Sequence, residues 1–348
     1  MLSVPSTSRL RRLPLVTLYL TERCNSRCVT CDYWRHGRVD VSLDLVQRLI
    51  PSLVSLSTRV ALISGGEPLL NPQWPEIASL LKGAGIKPWL LTSGLSLAKH
   101  AERASRLFDA ITVSLDGTNP RTYQAIRGLD AFDKVCEGIR AAVSAGSKVG
   151  LRVTLQRANY RELPLFVDLA HQLGVRQISF LAVDVANPHA FGRTDDFASD
   201  LALGVADLPV FGDAIAQLEA RRAPDFESRF IAESPTKLRR LQQYFAAVQG
   251  RAPYPAVRCN APEFSAVVGV KGAVQPCFFI AGPGKAANDG DLANVSDLAN
   301  VSDLESVLNQ PAMMELRDSI RAGKRRECVG CVCSLYREPD NMDEFLLP

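Results

Sequence analysis

From residue 15 to about 183, short runs of aliphatic and β-branched residues alternate with longer stretches whose apolar positions recur every three to four residues. The first pattern buries both faces of a strand and the second buries one stripe of a helix, so their alternation predicts parallel βα units. Six strands are predicted: "LVTLYL" (15–20), "VALIS" (60–64), "PWLLT" (88–92), "AITVSL" (110–115), "VGLRVTL" (149–155) and "RQISFL" (176–181). Between them lie helical stretches such as "SLDLVQRLIPSLVSL", "EIASLLKGAG" and "ELPLFVDLAHQLG", each long enough to cross over. Right-handed crossovers curl six such units into an incomplete barrel, an α/β fold of the partial (β/α)6, TIM-like kind. Its functional rim is the C-terminal end of the strands. There the chain places a cysteine-bearing loop after the first strand, "GGEP" (Gly65, Gly66, Glu67, Pro68) after the second, Ser93 and Gly94 after the third, and "SLDG" from Ser114 at the end of the fourth.

After residue 185 the pattern changes. Residues 186–255 read as a helical connector completing the barrel side, with stretches such as "PTKLRRLQQYFAAVQG", and residues 256–348 read as a small hairpin-based module, with turn signals in "VGVKGAVQPC" and "IAGPGKAANDG". Residues 1–185 form the barrel part in this division. The six-residue unit "DLANVS" occurs at 291 and again at 297, with an echo in "DLESVL" at 303; that is too few copies for a solenoid and reads as a lengthened surface loop.

Composition sharpens this picture in three respects. The 348 residues are 47% hydrophobic and 22% charged with a net charge of +3, which suits a soluble domain and carries no footprint of a nucleic-acid binder. No apolar run reaches the length of a membrane helix or has the flanks of a signal peptide, so a cytoplasmic location is expected. The nine cysteines are odd in number and clustered toward the two ends, which fits metal ligation in a reducing compartment better than a disulfide framework.

Cys24, Cys28 and Cys31 follow the first strand with the spacing C-x3-C-x2-C. Three thiolates on one loop can hold a small inorganic cluster and leave one position without a protein ligand. The alternative is zinc, which needs a fourth ligand when structural, and His36 is the nearest candidate.

That cysteine motif, with "GGEP" after the second strand and six βα units, resembles the radical S-adenosylmethionine (SAM) superfamily over roughly residues 14 to 185. The resemblance implies a [4Fe-4S] cluster on Cys24, Cys28 and Cys31 whose open iron binds SAM. It further implies that Gly65, Gly66, Glu67 and Pro68 hold the methionine ammonium, that Ser93 lies on the ribose side, and that Ser114 and Arg127 meet the SAM carboxylate. Thr30 stands where the superfamily carries an apolar or aromatic residue, so Tyr33 or Trp34 is the candidate aromatic surface for adenine.

The C-terminal cysteines resemble the auxiliary-cluster extensions called SPASM and twitch domains, and most closely the twitch type of aminocyclitol dehydrogenases. Cys259, Cys277, Cys328 and Cys331 would saturate a second, auxiliary [4Fe-4S] cluster, with Cys333 as an alternative ligand or a spare thiol; a zinc ribbon is the competing reading, and Cys136 reads as a core cysteine. With four protein ligands, the second cluster would accept an electron rather than bind substrate. The combined expectation is an oxidoreductase acting on a small polar metabolite, a sugar, aminocyclitol or nucleoside, and served by an external reductant such as flavodoxin or ferredoxin. Only about fourteen residues precede the first strand, which favours such a substrate over a peptide. Side-chain modification of a ribosomal peptide or protein is the rival enzyme reading, and a non-catalytic iron–sulfur or zinc protein the rival class. Asp116, Asp184, His189 and Arg193 lie where a base could sit, and none is assigned that role.

Overall fold

A computed structural model of the chain describes residues 9–35, 37–185, 187, 190–191, 193, 199–280, 303–333 and 335–338. His36, His189 and both "DLANVS" copies lie outside the described residues.

All six predicted strands form within one residue of their expected bounds: β1 Leu15–Tyr19, β2 Val60–Ser64, β3 Lys87–Thr92, β4 Ala110–Ser114, β5 Val149–Leu155 and β6 Gln177–Ala182. They pair in parallel in the order β6-β5-β4-β3-β2-β1. The crossovers are α1 (Leu43–Ser55), α2 (Trp74–Gly83), α3 (Leu97–Leu107), the pair α4 (Pro120–Arg127) and α5 (Phe132–Ser144), and α6 (Leu163–Gln172).

The period-2 alternation of the strands decides which side chains meet the helices. Leu18, Ile63, Leu90, Val113, Val153 and Phe180 are buried and share one hydrophobic core with Leu49, Ile77, Ile139 and Phe166 of the helices; Cys136 is in that core, as predicted. The intervening positions, among them Thr17, Tyr19, Ser64, Thr112, Ser114, Arg152, Thr154 and Ser179, are only half-buried. They make the inner face of the sheet, and it is rich in hydroxyl groups.

The C-terminal hairpin is not separate from this sheet. β7 (Ser265–Val268) pairs in parallel with β1, Leu15 opposite Ser265, and β8 (Val274–Gln275) returns antiparallel to β7, extending the sheet to eight strands. The turn at Gly269–Gly272 is the one that "VGVKGAVQPC" predicts. The connector folds into α7 (Asp207–Arg221), α8 (Ala223–Glu227) and α9 (Pro235–Val248). Its segment at Ile231 forms a parallel bridge with Ile178, so the other edge of the sheet is covered beside β6. Covering the β6 edge hides main-chain groups that would otherwise template aggregation. No helix among the described residues is long and apolar enough to cross a membrane.

The chain beyond the hairpin returns to the barrel through α10 (Leu304–Leu308) and α11 (Pro311–Arg321). Asp303 caps α10, accepting from the N–H groups of Glu305 and Ser306, and also accepts from the Ser52 hydroxyl of α1. Burial opposes ionisation of this carboxyl, but the hydrogen bonds from Ser52 and Ser306 prevail and its pKa is lowered. Its contribution is therefore complete above the ordinary aspartate range, near pH 4, and is lost as the pH falls through the lower folded value. Asp303→Ala is expected to cost about 1–2 kcal/mol, read as a lower urea midpoint at pH 7 that converges on wild type in acid.

Candidate functional site

The cysteine loop leaves β1 and is stitched to its neighbours through the main chain. The N–H of Gly66 donates to the Thr21 carbonyl and that of Glu67 to the Arg23 carbonyl, both at 2.8 Å. This contact requires the two glycines: a Cβ on Gly65, at φ +125°, would lie 2.6 Å from the Thr21 oxygen, and one on Gly66 would lie 2.2 Å from the Arg23 oxygen. The glycines of "GGEP" thus admit the backbone of the cysteine loop. Gly66→Ala is expected to displace that loop and to lower the iron content of anaerobically reconstituted protein, whereas Gly83→Ala, where a Cβ meets nothing within 4 Å, should leave it unchanged.

Glu67 is fully buried. Its two oxygens accept from the Leu69 N–H, the Thr92 hydroxyl, and the N–H and hydroxyl of Ser93. Pro68 opens the short 3-10 turn Pro68–Leu70 that this carboxylate caps. The side chain of Glu67 therefore braces the ends of β2 and β3 against each other. Ser93 is committed to the same brace. Ser114 ends β4 on the inner face, opposite Arg152 of β5.

Each of the three sulfurs has a hydrogen-bond donor. The Ser26 N–H points at Cys24 Sγ at 3.5 Å, the Tyr33 backbone serves Cys31, and Arg127 Nη1 donates to Cys28 Sγ at 3.5 Å. Burial is the main cause that pushes the Cys24 thiol up to about 11 and the Cys31 thiol up to about 12, so without a cation both stay protonated. A bound metal would deprotonate them, and the donors already in place would then stabilise thiolates. This donor set fits an iron–sulfur cluster.

Arg127 does not face the rim freely. Its guanidinium pairs with Asp116 at 2.8 Å, both side chains buried. Burial works against its charge, but Asp116 and the Cys28 sulfur outweigh it and the pKa is raised. Asp116 also accepts from the Thr154 N–H, and Asp184 pairs with Arg193, so neither carboxylate stands free as a base.

Tyr33 meets Tyr19 edge-on, with centroids 5.9 Å apart and planes at 83°. Tyr19 is the residue that the sequence reading overlooked. It closes β1 on the inner face and is near enough to feel both Cys31 and Cys277. Its signal was available in the alternation of β1, which puts Leu15, Thr17 and Tyr19 on one face immediately before the cysteine loop.

The C-terminal cysteines gather as well. Burial raises Cys277 most, and Cys331, Cys333 and Cys259 add to it; Cys328 feels Cys259. Cys333 is half-buried, its thiol pushed up by burial and by Cys259 and drawn down by Arg152 of β5 and Lys237 of α9. The N–H two residues onward donates to the sulfur of Cys277 and of Cys331, both at 3.4 Å, as Ser26 does for Cys24.

Residues 18–170 match the family profile of the Radical SAM superfamily. Over those residues, less than half of its length, the chain resembles a radical SAM domain. Fe-coproporphyrin III synthase of Methanosarcina barkeri is 32% identical over 204 residues, 56% of this chain and 50% of that protein. GTP 3',8-cyclase of Klebsiella pneumoniae is 34% identical over 168 residues, 45% of this chain and 51% of that protein. The chain thus spans about half the length of these curated relatives. Among solved structures, Streptococcus suis SuiB bound to S-adenosylmethionine superposes with a TM-score of 0.63 at 12% identity, over 94% of this chain and 73% of that one. Native anSMEcpe with bound AdoMet gives 0.62 at 15% identity, over 91% and 88%. At such identities the likeness is one of fold, and it extends from the radical SAM domain into the C-terminal part of this chain. The Radical SAM superfamily implies a [4Fe-4S] cluster and SAM.

Proposed function

We propose that this chain is a radical SAM oxidoreductase acting on a small polar metabolite, with the C-terminal cysteines holding a second cluster that accepts an electron. When bound, the first cluster supplies the electron that splits SAM, and the 5′-deoxyadenosyl radical so formed takes hydrogen from an unactivated C–H. Cys24, Cys28 and Cys31 would hold that cluster, and the backbone of Gly65 and Gly66 keeps their loop against β2. Cys259, Cys277, Cys328 and Cys331 would hold the other, with Cys333 in the same group. In a two-electron oxidation, one hydrogen atom leaves the substrate with 5′-deoxyadenosine, one electron passes to the C-terminal set, and one proton is released. The inner face of the barrel, lined by Thr17, Ser64, Thr112, Ser114 and Thr154, suits a substrate rich in hydroxyl or amino groups.

The observation that carries this reading is Tyr19. A single side chain lies near Cys31 of one cysteine set and Cys277 of the other. The hairpin that leads to Cys277 pairs with β1, which leads to Cys24, and this adjacency supports a substrate position between the two sets.

Anaerobically reconstituted protein should contain about eight irons, by the argument of one cluster for each cysteine set, and should form 5′-deoxyadenosine from SAM under dithionite. Wild-type iron near four would remove the second cluster from the proposal. No 5′-deoxyadenosine at all would leave a non-catalytic iron–sulfur protein. With flavodoxin or ferredoxin as reductant, a mass change in an added sugar, aminocyclitol or nucleoside supports the substrate class, while a mass change only in an added peptide replaces it.

A further inference from the structure

Arg127 is presented to the cysteine loop by backbone contacts that leave it little freedom. The N–H of Arg27 donates to the Arg127 carbonyl and that of Val29 to the Ile126 carbonyl, both at 3.0 Å, so the loop and the last turn of α4 form one unit. From this turn Nη1 reaches the Cys28 sulfur at 3.5 Å. The guanidinium is fixed from its other side by Asp116, 2.8 Å from Nε. Asp116 is fixed in turn: one oxygen accepts from the Thr154 N–H of β5 at 2.7 Å, and its carbonyl accepts from Asn159 at 2.9 Å. A chain of contacts thus runs from β5 through Asp116 and Arg127 to one cluster ligand, and all three side chains from Asp116 to Cys28 are buried.

A cation hydrogen-bonded to a cluster thiolate has a definite effect. Reduction adds an electron whose charge is partly carried by the sulfurs, and a charged donor in a poorly screened site stabilises the reduced state more than the oxidised one. The Asp116 carboxylate tempers this effect, but only the guanidinium touches the sulfur. We propose that Arg127, positioned by Asp116, raises the reduction potential of the three-cysteine cluster through its hydrogen bond to Cys28. The inference rests on the reading of Cys24, Cys28 and Cys31 as a cluster site, and it differs from a role for Arg127 as a contact of the SAM carboxylate.

The test is an anaerobic redox titration of the reconstituted full chain, followed by EPR with and without SAM; the signal that SAM perturbs identifies the N-terminal set. In Arg127→Gln, which keeps a neutral donor, the midpoint of that signal measured without SAM should move to more negative potential at unchanged iron content. Asp116→Asn leaves the guanidinium charge without its carboxylate, so the midpoint should move to more positive potential. Arg127→Lys, which keeps the charge, should lie between wild type and Arg127→Gln. A midpoint that stays at the wild-type value in Arg127→Gln overturns the proposal, even if SAM binding weakens, because that outcome belongs to a carboxylate contact alone. Should Arg127→Gln fail to hold iron, the other two variants decide, and unshifted midpoints in both overturn it. Failure of the underlying reading looks different: no signal of the wild-type chain would respond to SAM, and both would fall.

Discussion

Replacing Cys24, Cys28 and Cys31 together by Ala is expected to abolish 5′-deoxyadenosine formation and to halve the iron, from about eight per chain to about four. The loop carrying them is held by its main chain, through Gly66 to Thr21, Glu67 to Arg23, and Arg27 and Val29 to the end of α4. None of these contacts uses a cysteine side chain, so the barrel should survive the substitution and the remaining iron should report the C-terminal set alone. The three sulfurs act as a unit, and each single Cys→Ala change should cost nearly as much activity as all three, because a cluster deprived of one ligand is no longer held. Iron and sulfide analysis, with chromatographic detection of 5′-deoxyadenosine, checks both parts. Retention of about eight irons in the triple variant would refute the assignment, since it would place no cluster on this loop.

Glu67→Ala is expected to destabilise the chain by about 3–5 kcal/mol, read as a lower urea midpoint. Four buried donors depend on this carboxylate: two N–H groups, of Leu69 and Ser93, and two hydroxyls, of Thr92 and Ser93. Hydrogen bonds to a charged group contribute about 1.5–3 kcal/mol each, and a buried donor stripped of its acceptor costs about 1–3 kcal/mol, so the estimate already allows for relaxation. Glu67→Gln should fall between, because an amide nitrogen would face donors where a carboxylate oxygen accepted them. The measurement also separates two roles. If the brace is what matters, stability falls and SAM affinity follows it; a variant of wild-type stability that had merely lost SAM affinity would support the ammonium-binding role.

The strands were legible because their signal is local. A five- to seven-residue run such as "VALIS" or "VGLRVTL" carries its own period, and the turn residues around it set its ends. The three-cysteine loop was legible for the same reason: eight consecutive positions hold the whole motif. The brace around Glu67 was not legible because "GGEP" names the residue without its partners, and Thr92 and Ser93 stand twenty-five and twenty-six positions away. The glycines beside it admit the backbone of the cysteine loop, a contact that lies outside the motif itself.

The sequence by itself determined the order of β and α elements, the rim on which the motifs gather, and a thiolate set with one ligand too few to close a cluster. All of these follow from spacing and periodicity within a few tens of residues. Only the tertiary structure decided that β7 pairs with β1 some 250 positions earlier, that the hairpin leading to Cys277 thereby lies beside the strand leading to the cysteine loop, and that Arg127 turns to Asp116 and Cys28. The reason is physical. Strand edges, buried carboxylates and guanidinium groups are satisfied by whatever unpaired partner the fold brings within reach, and that choice depends on the closing of long loops, which no local pattern in the chain encodes.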